Sequence, residues 1–140
     1  MAIKILIMGL PGAGKTTLAA ALNEQLCDHR YTTTWLNADI IRKQYDDWDF
    51  SDEGRIRQSV RMHNLAEQAI TDYVIADFVA ALPIQRDNFK ADYTVWVDTI
   101  DRSIHEDTNK AFVKPKAVDF HITEKNAVHW AQYIFNHIME

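Results

Sequence analysis

The densest chemistry in this sequence lies in one stretch near its start, Gly9-Leu10-Pro11-Gly12-Ala13-Gly14-Lys15-Thr16. It fits the pattern G-x-x-x-x-G-K-[ST] in full. Glycines let the backbone curl until several N–H groups point inward at phosphate oxygens. A helix that starts at the lysine adds its positive end to the same anion. Lys15 is placed to reach the β- and γ-phosphates, the Thr16 hydroxyl to ligate Mg²⁺, and Thr17 to extend the contact. The stretch therefore predicts a site for the phosphates of ATP or a close nucleoside triphosphate.

Metal and acceptor chemistry need further groups. Asp77 follows the apolar run Tyr73-Val74-Ile75-Ala76 and sits near the carboxyl end of a buried strand. An ionised carboxylate there is costly unless paired or near a metal, so Asp77 is a candidate magnesium ligand beside Thr16. The alternative is a carboxylate that caps nearby backbone. Asp39 follows the second apolar run and is the candidate base, or orienter, for an acceptor hydroxyl; a turn-forming aspartate is the plainer reading. Asp98 and Asp101 read as turn or capping residues. Arg42, Arg55, Arg61 and Arg86 form a basic set around the expected cleft, suited to phosphate, sulfate or carboxylate. Arg57 reads better as a partner of Glu53, Asp46 or Asp47. Lys110, Lys114 and Lys116 lie in a polar segment, about 102–117, that is expected to form a short lid. Phe50 is available to stack on a base; Phe120, Trp35, Trp96 and Trp130 read as core.

These groups need a scaffold, and the apolar pattern supplies one. Ile3 to Met8, Thr33 to Leu36, Val74 to Val79, Tyr93 to Val97 and Val118 to Ile122 read as strands. Between them, Lys15 to Leu26, a helix capped by Ser51 or Asp52 and running to about Tyr73, and a final helix through Trp130 and Ile134 show helical periodicity. The long helix is expected to bury Ile56, Val60, Ala66, Ala69, Ile70 and Tyr73. Alternating strands and helices predict a three-layer α/β P-loop fold, a parallel five-stranded sheet flanked by helices, in one domain over residues 1–140.

Composition narrows the function. Hydrophobic residues make up 47% of the 140, enough for a core. No apolar run reaches the roughly 20 residues of a membrane helix. The first strand begins at once, which argues against a leader peptide and for the cytoplasm. Cys27 is the single cysteine, so neither an internal disulfide nor a cysteine zinc site can form, and packing is its expected role. A net charge of −5 disfavours general nucleic-acid binding, yet allows a small anion in a local basic pocket. The six histidines show no metal-ligand spacing.

In order along its first hundred residues, the chain resembles the adenylylsulfate kinase family. The matching pieces are the Gly9 to Thr17 loop, Asp39-Ile40-Ile41-Arg42, Phe50-Ser51 with Arg55 and Arg61, Phe78-Val79 with Arg86, and Val97-Asp98-Thr99. The resemblance implies the P-loop kinase fold, ATP and Mg²⁺, and transfer of the γ-phosphoryl to the 3′-hydroxyl of adenosine 5′-phosphosulfate. It implies that Asp39 assists the hydroxyl, that Arg42, Arg55 and Arg61 grip the phosphosulfate, and that Phe50 clamps adenine, with Phe120 a weaker second side. It departs from the family at Asn37, where a second acid is usual, at Ile40 for an asparagine, at Val60-Arg61 for paired arginines, at Ala80 for a serine, and in a shortened lid. Alternatives left open are a kinase for a nucleoside, sugar or polynucleotide end, an ATPase switch, and a nucleotide-binding protein without turnover. The expected assembly is a monomer or homodimer.

Overall fold

A computed structural model describes all 140 residues. Five strands form one parallel sheet: β1 (Ile3–Met8), β2 (Thr33–Asn37), β3 (Tyr73–Asp77), β4 (Tyr93–Val97) and β5 (Phe120–Ile122). Their order across the sheet is β2-β3-β1-β4-β5, which places β1, and the loop leaving it, at the centre. Six helices cover the faces: α1 (Lys15–Asp28), α2 (Ala38–Tyr45), α3 (Asp52–Gln68), α4 (Pro83–Phe89), α5 (Glu106–Ala111) and α6 (Ala127–Ile138).

Because side chains alternate along a strand, β1 feeds two cores. Ile5 and Ile7 point into one, with Leu18, Leu22 and Ile134 from α1 and α6. Leu6 and Met8 point into the other, with Met62, Phe78, Phe89 and Trp96. The register sets Ile7 beside Asp77, and Asp77 beside Asn37, so three strand ends come level. Ligands in open parallel sheets bind beyond such carboxyl ends.

Several boundaries differ from the sequence expectation, each for a local reason. α3 ends at Gln68; Ala69 is already extended, and Ile70 is fully exposed. The next residues serve the sheet, since the Asp72 carboxylate accepts from the Thr32 amide at 2.8 Å and from its hydroxyl at 3.0 Å. Tyr73 thus opens β3 rather than closing a helix. The buried face of α3 carries Gly54, Arg55, Gln58, Ser59, Met62 and Ala66, not Ile56 and Val60. Of its polar members, Arg55 and Gln58 line the cleft, while Ser59 is buried against Asn88, an arrangement the rule of apolar faces does not anticipate. β3 stops at Asp77, and Ala80, with φ of 50°, turns the chain away from the sheet. Ser51 caps α3, its hydroxyl accepting from Gly54 N at 3.2 Å. Cys27 is exposed, with its sulfur 3.5 Å from the Thr33 hydroxyl, and so lies outside both cores.

Candidate active site

The loop between β1 and α1 is shaped by its glycines. At Gly9, φ is 151° and an added Cβ would lie 2.4 Å from the Val97 carbonyl oxygen, so only glycine fits between β1 and β4. Gly14, with φ of 107°, turns the chain into α1. The strands beyond brace the loop: the Thr99 hydroxyl donates to Ala13 O at 2.6 Å, and Lys125 Nζ to Gly12 O at 3.1 Å. Lys15 Nζ folds back to donate to Leu10 O at 3.0 Å. Burial lowers its pKa from 10.5 to about 8, although Asp77 and Asp39 oppose the change.

Asp77 is buried, 3% exposed, and no cationic side chain pairs with it. Burial pushes its pKa up, while donors from Trp35 and Asn37, the charge of Lys15 and the Thr16 hydroxyl pull it down. The Trp35 indole N–H donates to Oδ2 at 2.6 Å; the Asn37 amide reaches Oδ1 at 3.1 Å, and the Thr16 hydroxyl reaches Oδ1 at 3.3 Å. A buried carboxylate held only by neutral donors, next to a loop hydroxyl, is a fitting place for a divalent cation. Mg²⁺ takes few protein ligands and completes its shell with phosphate and water. Thr16 and Asp77 would hold the ion. Trp35, expected in the core, is instead 36% exposed and serves Asp77.

A cavity of about 660 Å³ opens over the loop and brings Lys15, Thr16, Asp39, Arg42, Phe50, Arg55 and Asp77 together. Asn37 caps α2 by accepting from Ile40 N at 3.1 Å, which sets Asp39 in the first helical turn, facing the cavity. Arg42 follows on the same helix. It is 4% exposed, donates to the carbonyls of Asp47 and Asp49 at 3.0 and 3.1 Å, and stacks 4.3 Å from the Phe50 ring centre. Arg55 is 3% exposed and donates to Phe50 O at 2.9 Å and the Thr108 hydroxyl at 3.0 Å. Neither guanidinium pairs with a carboxylate. Burial lowers the pKa of both, and in Arg42 the charges of Arg55 and Arg61 add to the effect.

Two arginines of the basic set lie outside the cavity lining. Arg61 donates to Gln58 Oε1 at 2.7 Å and to the Asp47 carboxylate at 2.9 Å, over the Tyr45 ring. Arg57 pairs with Asp47 and Asp49 at 2.9 and 3.1 Å. Arg86 spends its donors on the carbonyls of Ala80, Ala81 and Val113 and so ties the turn after β3 to the segment after α5. Lys110 borders a shallower pocket with Trp48, Phe50 and Asp107, while Lys114 and Lys116 are exposed. Phe120 is buried in the core beneath α6 and does not reach the cavity.

Thr99, Glu124, Lys125, Asn126 and Trp130 also line the cavity and were not anticipated as site residues. All but Trp130 directly follow β4 or β5, where the strand-end rule would have found them. Trp130, on the first turn of α6, is half-buried rather than core.

The family model for adenylylsulphate kinase matches residues 1–117. No curated protein matches the chain in sequence. Among solved structures, the APS kinase CysC of Mycobacterium tuberculosis in complex with AMPPNP and APS superposes with a TM-score of 0.84 at 18% identity, covering 99% of this chain and 98% of that one. Its Cys556Ala mutant gives 0.82 at 20% identity, with the same coverage. Shikimate kinase from Acinetobacter baumannii, in complex with shikimate, gives 0.66 at 19%, covering 99% and 94%. These structures share the fold, and the family match runs from β1 past α5 to residue 117. With the family and the site agreeing on ATP and magnesium, this chain belongs to the adenylylsulfate kinase family and acts as an ATP-dependent kinase.

Proposed function

We propose that the enzyme transfers the γ-phosphoryl of ATP to the 3′-hydroxyl of adenosine 5′-phosphosulfate. The observation that carries this reading is the pair Arg42 and Arg55, two buried guanidiniums without a carboxylate partner beside the cavity. Buried charges are normally paired, so two unpaired like charges favour an anionic ligand. On this reading their free donors hold the phosphosulfate, and the half-exposed Phe50 ring, stacked on Arg42, borders the adenine.

The chemistry then follows from placement. Lys15 and the loop N–H groups orient the triphosphate and neutralise charge that builds on the transferring group. Asp39 accepts the hydrogen bond of the acceptor hydroxyl and takes its proton as the new O–P bond forms and the bond from the γ-phosphorus to the bridging oxygen breaks, releasing ADP. Thr16 and Asp77 would hold magnesium, which would supply further charge neutralisation to the triphosphate. Lys110 and the α5 segment close over the site and exclude water. Arg61 acts indirectly, through Asp47 and Gln58, and Arg86 through the turn after β3 and the segment after α5. We also place the enzyme in the cytoplasm, as a monomer or homodimer. No helix is long and apolar enough to cross a membrane.

The test is an acceptor panel with Mg·ATP: adenosine 5′-phosphosulfate, AMP, adenosine, shikimate and gluconate. The phosphosulfate should give the highest kcat/KM, and Arg55→Lys should raise its KM about tenfold while leaving that of ATP within twofold. Preference for uncharged adenosine would overturn the reading.

A further inference from the structure

The Asp77 carboxylate is aimed by a residue of the neighbouring strand. Its Oδ2 is taken by the Trp35 indole N–H at 2.6 Å, and the Asn37 amide bridges both oxygens at 3.1 and 3.3 Å. With Oδ2 held, Oδ1 turns to the Thr16 hydroxyl at the phosphate loop. Trp35 sits on the outermost strand, β2, where a large aromatic ring is 36% exposed and is not needed to fill either core. Its one strong polar contact is with Asp77. We propose that Trp35 is a positioning residue for the magnesium site: its N–H fixes the Asp77 carboxylate so that one oxygen faces the metal. This rests on assigning Asp77 and Thr16 to the metal, and is independent of which acceptor is used.

Groups that orient a metal ligand typically change metal affinity by about 10–100-fold when lost. Trp35→Phe keeps the ring and removes the donor. It should weaken binding of Mn·AMPPNP about tenfold and leave AMPPNP in EDTA within twofold, a split that a general loss of structure would not give. In an Asp77→Asn background the same change should add less than twofold, because Trp35 acts through that carboxylate. In the unmodified protein, the indole N–H resonance assigned to Trp35 should shift with Mg·AMPPNP and stay fixed with AMPPNP alone, whereas that of Trp130, in the cavity lining, should respond to both. That last measurement stands even if Trp35→Phe fails to fold. Equal weakening of metal-bound and metal-free nucleotide, or an unresponsive Trp35 indole resonance, would overturn the proposal. If Asp77→Asn weakens Mn·AMPPNP and Trp35→Phe does not, the role of Trp35 falls while the metal site stands. If Asp77→Asn also has no effect, the metal assignment falls and takes the proposal with it.

Discussion

On the proposed function, Lys15 is the residue on which the donor half of the reaction depends most. Its ammonium sits in a buried loop mouth with a pKa lowered to about 8, so charge is lost in the free enzyme at mildly alkaline pH. A triphosphate stabilises the charged form and draws the proton back. ATP affinity should therefore hold steady up to about pH 8 and then weaken about tenfold per pH unit. Isothermal titration between pH 7 and 9.5 measures this, and a flat profile would mean the charge is not needed for binding. Fold stability has the opposite sign. The unfolded lysine titrates near 10.5, so between about 8 and 10.5 the unfolded chain holds the extra proton. This group alone then makes the fold more stable as pH rises through that window. Lys15→Ala should cost on the order of 10²–10³ in kcat and leave a folded protein by circular dichroism.

The connection between α2 and α3 frames the proposed acceptor side of the cavity, and Gly54 shows how tightly. Glycine to alanine within a helix usually gains up to about 1 kcal/mol. Here the new Cβ would lie 2.1 Å from the Asp49 carbonyl oxygen, a backbone atom that cannot swing aside. We expect Gly54→Ala to destabilise by about 1–3 kcal/mol in denaturant unfolding and to raise the acceptor KM more than that of ATP. Asp47 holds the same segment, accepting from Arg57 and Arg61, which keep its carboxyl far below the usual range. That contribution to stability is full above the unfolded carboxyl pKa and lost as pH falls below it. Asp47→Asn should lower Tm at pH 7 and have a smaller effect at pH 3, as scanning calorimetry can show. A constant difference between the two pH values would remove the ion pairs from the account.

Across the whole molecule, what the sequence disclosed follows from how local each signal is. The phosphate loop is contiguous, so its identity and position are readable from eight letters. Parallel strands are continuous apolar runs, and Tyr93–Val97 matches its expected bounds. α3 was over-extended because Ala69, Ile70 and Tyr73 continue a helical spacing, whereas Asp72 is claimed by Thr32, 40 residues away in sequence. The arginines show the same limit. Composition marks Arg42, Arg55, Arg61 and Arg86 alike, but only folding decides that Arg42 and Arg55 line the cavity while Arg61 and Arg86 do not. Trp35 looked like core for the same reason, since its tie to Asp77 spans two strands.

Phosphoryl transfer to adenosine 5′-phosphosulfate is tested most directly by incubating the pure enzyme with Mg·ATP and that acceptor while following ADP and the phosphorylated product together. The account predicts equal amounts of ADP and 3′-phosphorylated product, with ADP formation dependent on the acceptor. ADP released without that product would contradict it.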